Sequence, residues 1–438
     1  MERIMEPLKV LFWIRRRAAP RGGDLVALEN TIAALRAYEV ECVVSDEPTH
    51  DLSEFTLVHL YNLSHPTVAI EYVARAADAN KPLVVTPIYW SHAQWLETRA
   101  RATAATRPEF FLGALSDDER ALSQRVLLET EQLGRAAHQL VCDAAARIFT
   151  FSRAEGDILT REFHAARAKL HVTYNGIDPA FQYGNAERFF QARGLRDFVL
   201  SAARIEERKN TIGVIRAWHD ETIPLVLAGG APDADYLALC QREAGANTHF
   251  LGALTPAEMA DAFAAARVHV LASWWEEASL SALEAGLSGC ALALTENSPA
   301  REYFGDMCFL CDPAAPSSIH TAIRAAYDAP RHTRLVAHLR ETFVWDRVAR
   351  ILADAYAEIA AQPQAFLPRA DAAAWKGVSE PLAELLHLRE TYLRALETRT
   401  REQAEWAREL ERIIAAREAE RARWLPLARL RQTFTRRP

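Results

Sequence analysis

Short, fully apolar segments alternate with segments of helical spacing twice along this chain, and that rhythm restricts the fold more than any other feature. In the first series, Leu8 to Ile14, Val40 to Val44, Leu57 to Leu60, Leu83 to Thr86, Ile148 to Phe151 and His171 to Tyr174 read as buried strands. Leu25 to Ala37 places Leu25, Leu28, Ile32 and Leu35 on one helical face, Val68 to Ala77 reads as a helix, and a long helical region covers about 117 to 145. The turn cluster Asn175-Gly176-Ile177-Asp178-Pro179 closes the series. The second series then starts. Its strands are predicted at Phe198 to Ala202, Leu225 to Leu227, His249 to Leu251, Val268 to Ala272, Ala291 to Leu294 and Cys308 to Leu310. Its helices are predicted at Thr211 to Trp218, Tyr236 to Ala244, Pro256 to Ala265 and Ser281 to Leu287. Strands alternating with helices predict parallel sheets covered on both faces. The chain is therefore read as two doubly wound α/β domains, 1–180 and 181–362, facing a cleft. Ligands in such sheets bind beyond the carboxyl ends of the strands.

The texture changes after residue 362. Residues 363–381 read as a linker, and 382–438 as a charged helix with a basic tail. Leu382 to Trp424 contains neither proline nor glycine, and Leu386, Leu393, Leu396, Ala407, Leu410 and Ile414 follow a roughly heptadic spacing. Thr400 and Gln403 interrupt that coiled-coil seam. The tail from Arg421 to Pro438 holds six arginines and no acid, interleaved with Trp424, Leu425, Leu427, Leu430 and Phe434. Three readings stay open for it: a solvated end, docking of a protein partner through the preceding helix, or contact with an anionic membrane surface.

Several function classes are excluded by composition. No apolar run approaches the roughly 18–20 residues of a membrane-spanning helix. Val10 to Ile14 is too short for a signal peptide, and its arginines follow instead of preceding it. The formal charge of −7 supplies no field to attract nucleic acid. The six cysteines are scattered, and Cys308 and Cys311 face opposite sides of a predicted strand, so they read as buried structural residues. The expected location is the cytoplasm, with the inner face of the membrane reachable through the tail.

The chemistry concentrates in the second series. Arg204 and Lys209 lie five residues apart just after a strand, so both can converge on one anion. Glu276 and Glu284 are separated by seven residues. Between them, Ala278, Ser279 and Leu280 lead into a helix whose first N–H groups are free to bind phosphate. Two cations and a helix N-terminus make a diphosphate site, and a carboxylate one turn inside the helix suits a ribose diol. Fixed cations of this kind stabilise a leaving diphosphate without a metal. Each element also has a plainer reading. Arg204 and Lys209 can be solvated charges beside Glu206 and Glu207. Ser281-x-x-Glu284 fits a capping box, and Gly22-Gly23 a generic turn. Asp233-Ala234-Asp235 looks like a metal-binding pair but sits in a polar loop, and the solvated-loop reading is preferred.

Taken in order, the Gly22-Gly23 loop, VTYNGIDPAF, ARIEERKN, VLAGG, FLGAL and EEASLSALE resemble the retaining glycosyltransferases of family 4, which have the GT-B fold. The resemblance covers roughly residues 8 to 362. REYFGDMCFLCDP resembles the corresponding segment of enzymes building surface polysaccharide such as O-antigen and lipopolysaccharide. The resemblance implies a hexosyltransferase with a nucleotide-sugar donor held mainly by the second domain, and no cofactor or metal. Arg204 and Lys209 would bind the diphosphate together with the backbone N–H groups of Ser279 and Leu280. Glu284 would bind the ribose and Glu276 the transferred sugar. Leu251 and Gly252 would line the base, and the turn at Gly23 would bring first-domain backbone to the phosphate. A glycan or lipid-linked acceptor would enter from the first domain. Two departures stand out. Glu277-Ala278-Ser279-Leu280-Ser281 replaces the common Gly-Phe-Gly-Leu-Pro, and Ile88 stands where many members carry a histidine, with His92 or Tyr89 as substitutes. The competing readings are a sugar-nucleotide epimerase of similar fold and a non-catalytic glycan-assembly protein docking through its C-terminal helix.

Overall fold

The computed structural model describes residues 8–14, 22–63, 66–91, 132–330 and 333–368, with isolated positions between 375 and 417. The expected architecture is present. The first sheet contains β1 (Lys9–Trp13), β2 (Glu41–Ser45), β3 (Leu57–Tyr61), β4 (Leu83–Thr86), β5 (Arg147–Thr150) and β6 (Leu170–Val172), in the order β2-β1-β3-β4-β5-β6. The second contains β7 (Val199–Ala202), β8 (Leu225–Ala228), β9 (Thr248–Gly252), β10 (Val268–Leu271), β11 (Ala291–Thr295) and β12 (Phe309–Cys311), in the order β12-β11-β10-β7-β8-β9. Every pairing is parallel. Every residue of β3, β4, β7, β8, β10 and β11 is buried, which is why these strands read as unbroken apolar runs instead of alternating ones.

Strand order reverses between β1 and β3 in the first sheet and between β7 and β10 in the second. At such a switch point the loops leaving the two central strands run in opposite directions and open a crevice. Past β1, after residues outside the described set, the chain enters α1 (Gly23–Leu35), whose cap is Gly22. The loops after β7 and β10 are those carrying Arg204, Lys209 and Glu276.

Two connections join the domains. The first is the turn that leads out of β6. The second precedes α5, counting helices α2 (Arg153–Phe163), α3 (Leu280–Leu287), α4 (Ala300–Phe304) and α5 (Trp345–Ala361). Although residues 345–361 fall in the stretch read as the second domain, this helix packs on the first. Val348, Leu352, Tyr356 and Ile359 form one apolar face in a cluster with Val10, Phe12, Leu57 and Phe149. The Tyr356 hydroxyl meets His59 Nδ1 of β3 at 2.6 Å, and His59 Nε2 meets Thr86 of β4 at 2.9 Å. Trp375, in the predicted linker, is also buried in a first-domain cluster. The division at 362 thus follows chain order, and packing cuts the chain differently. Most of the predicted charged helix from 382 and the tail from 421 lies outside the described residues, as does His92. Among the described residues no helix is long and apolar enough to cross a membrane.

The two connections touch. Ile177 N–H donates to Phe343 O at 2.9 Å, and Ile177 bridges to Val344. A Cβ on Gly176 would lie 2.4 Å from Trp345 Cδ2 and 2.7 Å from the Trp345 nitrogen, so only glycine fits. Gly176→Ala is expected to lower stability by roughly 1–3 kcal/mol through this overlap. A thermal melt checks it: an unchanged Tm would show that the crossing is not close-packed.

Candidate active site

The loop after β7 is tied to the loop after β10 by backbone chemistry. Asn210 adopts a left-handed conformation, φ 53°, which asparagine tolerates better than most residues. Its amide donates to Ala272 O at 3.0 Å and Pro313 O at 2.9 Å. Trp274 N–H donates to Arg208 O at 3.0 Å. Arg208 and Lys209 are thereby held beside Glu276, whose own N–H donates to Asn297 O at 3.0 Å.

The charges then pair within the site. Lys209 Nζ lies 2.5 Å from Glu276 Oε1, and Arg208 reaches the same oxygen at 3.4 Å. Arg204, more exposed, reaches Glu206 Oε1 at 3.1 Å, and Arg208 shares that oxygen at 3.4 Å. The two cations expected to converge on one anion therefore each hold a protein carboxylate, with Arg208 between them. The guanidinium of Arg208 also lies over the Trp275 ring, 4.8 Å from its centroid. Burial pushes the Lys209 ammonium down to about 8, helped by Arg208 and opposed by Glu276. Burial pushes Glu276 upward, but Lys209 and Arg208 outweigh it and hold the carboxyl at about 2. At neutral pH the cluster is a charged, nearly dry pair with a second cation at its edge. Arg208 was not singled out from the sequence, since the five-residue spacing argument selects only the outer two cations.

Helix α3 begins where expected, but its cap is Ser279, not Ser281. The Ser279 hydroxyl accepts from Ala282 N–H at 3.3 Å. The capping-box reading of Ser281 and Glu284 therefore fails, because Glu284 stands two residues beyond the position such a box requires. A box of that kind does exist at Thr255 and Glu258. The N–H groups of Leu280 and Ser281 precede the first capped position and face outward from the helix end. Ser281 instead contacts buried His269 Nε2 at 3.3 Å. His269 Nδ1 lies 3.1 Å from Leu200 O, which can only accept, so Nδ1 carries the proton and Nε2 accepts from Ser281. Burial keeps this imidazole neutral, lowering it to about 4. This second histidine contact under the helix start was also missed, because a histidine inside a strand gives no spacing signal. The Glu284 carboxyl is half-buried and makes no hydrogen bond or ion pair among the described residues, and burial raises it to about 7.

The remaining expected residues lie along the same edge. A Cβ on Gly23 would stand 3.9 Å from Leu280 Cδ1, so the first-domain turn faces the start of α3. Gly252, with φ 69°, accepts from Gly229 N–H at 2.8 Å through its carbonyl. Leu251 is half-buried and packs on the second-domain core. Gly229 is required there: a Cβ would fall 2.0 Å from Ala203 O. Asp233 proves to be the cap of the helix Ala234–Glu243, accepting from Tyr236 N–H at 2.9 Å. Across the cleft, Ile88 takes φ 48°, a strained conformation for a β-branched residue. Trp90 stacks on Trp275 with centroids 5.6 Å apart and planes 10° from parallel.

Residues 185–341 match the family described as Glycosyl transferases group 1. Among solved structures, sucrose-phosphate synthase from Thermosynechococcus elongatus superposes with TM-score 0.63 at 14% identity, covering 81% of this chain and 100% of that one. HepE from Anabaena, solved in complex with UDP and glucose, gives TM-score 0.55 at 16% identity, covering 80% and 100%. WaaG, a glycosyltransferase involved in lipopolysaccharide biosynthesis, gives TM-score 0.54 at 14% identity, covering 80% and 99%. No curated protein sequence matches the chain.

Proposed function

We propose that this chain, whose residues 185–341 match the group 1 glycosyl transferases and whose two parallel-sheet domains superpose on solved glycosyltransferase-type structures, is a GT-B glycosyltransferase that transfers a hexose from a nucleotide-sugar donor to a glycan or lipid-linked acceptor with retention at the anomeric carbon. The observation that carries the reading is the convergence at the β7/β10 switch point of Lys209, Arg208 and Glu276 with the start of α3, where the Ser279 hydroxyl takes only the Ala282 N–H. In this reading the diphosphate lies against Arg204, Lys209 and the N–H groups of Ser279 and Leu280. Glu276, already ionised, accepts hydroxyl protons of the transferred sugar. Glu284, unpaired inside α3, accepts those of the ribose. Leu251 and Gly252 lie along the base. The turn at Gly23 approaches from the first domain, so that closure excludes water and strengthens each contact. Retention rests on the family resemblance. UDP is the nucleotide to try first, since the structure of HepE was solved with UDP and glucose. A lipopolysaccharide-type glycan is the acceptor to try first, since WaaG acts in that biosynthesis.

Protein cations take the leaving charge in this scheme, so turnover is expected to survive a chelator. Under those conditions Arg204→Ala and Lys209→Ala should each reduce turnover by roughly 10²-fold or more, as removal of one charge-stabilising donor does elsewhere. Release of nucleoside diphosphate from a panel of nucleotide sugars measures this. Near wild-type rates in either folded variant would remove that residue from the diphosphate site.

Peripheral attachment to an anionic membrane is the part of the proposal supported by the tail composition alone, six arginines among Trp424, Leu425, Leu427, Leu430 and Phe434. Truncation after Glu420 should abolish salt-sensitive binding to anionic vesicles while leaving turnover on soluble acceptors. Full-length protein that ignores such vesicles at low salt would contradict it.

A further inference from the structure

Next to Glu276 stands Glu277, which departs from the glycine common at that place and has no part in the donor scheme. It is 7% exposed and sits in the seam between the domains. Its Oε1 accepts from the hydroxyl of Ser152 at 3.0 Å, and Ser152 caps α2 of the first domain, accepting from Glu155 N–H at 3.0 Å. Glu155 is 1% exposed. Its Oε1 accepts from Tyr89 N–H and its Oε2 from Phe151 N–H, both at 2.7 Å. Donors thus occupy both oxygens of Glu155 and favour its carboxylate. Glu277 Oε2 is buried with no hydrogen-bond partner. The two carboxyls act directly on each other, and two adjacent carboxyls in a dry seam do not both ionise.

The surroundings add negative charge. Glu302 of α4 accepts from Arg153 N–H at 2.8 Å and from the Tyr174 hydroxyl at 2.9 Å. The Tyr303 hydroxyl donates to Phe151 O. Tyr61 of β3 faces Glu155 from the sheet. The charges acting most strongly on Glu277 are the carboxyls Glu155, Glu302 and Glu276. Of these, Glu276 is held by Lys209 and Arg208, and Arg153, its side chain largely exposed, reaches Glu302.

We propose that Glu155 and Glu277 form a proton-dependent latch that positions the two domains: with one proton on the pair the seam is closed, and with both carboxyls ionised it opens. Glu155 holds the backbone of Tyr89, between strained Ile88 and Trp90, and Trp90 stacks on Trp275 of the donor-side segment. The latch therefore sets where the acceptor-side loop stands over the donor side, and Glu277 is a positioning residue. Burial, with the neighbouring carboxylate, keeps Glu277 well above the ordinary range, and burial lifts Glu155 to about 7. The sign follows from linkage. The closed form holds one proton more than the open form, whose solvated carboxyls are both ionised at neutral pH. Closure is favoured at low pH, and the open-to-closed ratio rises about tenfold per pH unit between the ordinary carboxyl range of the open form and the raised pKa of the closed pair, levelling off above it.

Fluorine NMR of the full chain labelled with 5-fluorotryptophan reads the Trp90–Trp275 stack without any donor or acceptor, so its outcome is independent of the proposed donor site. Trp90→Phe and Trp275→Phe assign the two signals. Both signals are expected to move together with one midpoint as pH rises from neutral. In Glu277→Gln, whose amide accepts from Ser152 and donates to the Glu155 carboxylate without a titrating proton, the midpoint should vanish and the closed signals persist. Should Glu277→Gln not fold, Glu277→Met removes the titrating carboxyl while leaving both Glu155 oxygens on the Tyr89 and Phe151 N–H groups, and the midpoint should vanish there too. Signals that stay fixed in the wild type, or a midpoint unchanged in the Gln variant, would overturn the latch.

Discussion

The reversal of strand order between β7 and β10 governs the second domain. The two central strands run side by side, yet their following loops diverge, so their carboxyl ends leave a crevice that backbone alone does not fill. Both loops are polar where they meet. Asn210 stitches them together through Ala272 and Pro313, and the stitch brings Lys209 to within 2.5 Å of Glu276. The start of α3 follows directly. The placing of Lys209, Glu276 and the start of α3, on which the proposed donor site rests, is thus a consequence of which strands are neighbours.

Electrostatics at that crevice is arranged at some cost. A buried ammonium and carboxylate lose hydration that their attraction only partly restores. Burial, and after it Arg208, lowers Lys209, while Lys209 and then Arg208 outweigh burial to lower Glu276, so the two titrations are displaced in the same direction. An incoming diphosphate brings the negative charge that this cluster carries cations to meet. The seam alongside it, at Glu155 and Glu277, has the opposite character: the two carboxyls act on each other, and among the described residues no cation pairs with either. The two neighbouring glutamates at 276 and 277 therefore do different work, one in the donor side and one between domains.

The strands and most helices were legible because burial on both faces leaves continuous apolar runs, and because helices covering them keep a 3.6-residue period. Order and spacing single out Gly22-Gly23, Arg204, Lys209, Glu276 and Glu284, and of these the structure pairs Lys209 with Glu276 while Arg204 turns to Glu206. Long-range pairings were not. Nothing local tells Trp345–Ala361 to cross back to the first sheet, since an amphipathic face packs equally well on either domain. Ser279 and Ser281 are equivalent as caps until the backbone shows which one has extended geometry. Arg208 looks like one charge among several until Glu276 arrives from 68 positions away. Glu277 registers in sequence only as a departure from glycine, and its partner Ser152 lies 125 positions earlier.

In the proposed function the second domain binds a nucleoside diphosphate through fixed protein groups. Calorimetric titration of the full chain with UDP, in the presence of a chelator, tests it without requiring the acceptor or the sugar. Saturable binding at one site is expected, weakened in Glu284→Gln because the amide nitrogen cannot accept a ribose hydroxyl proton. Absence of binding by UDP and by every other nucleoside diphosphate, or an affinity indifferent to Glu284→Gln, would contradict it.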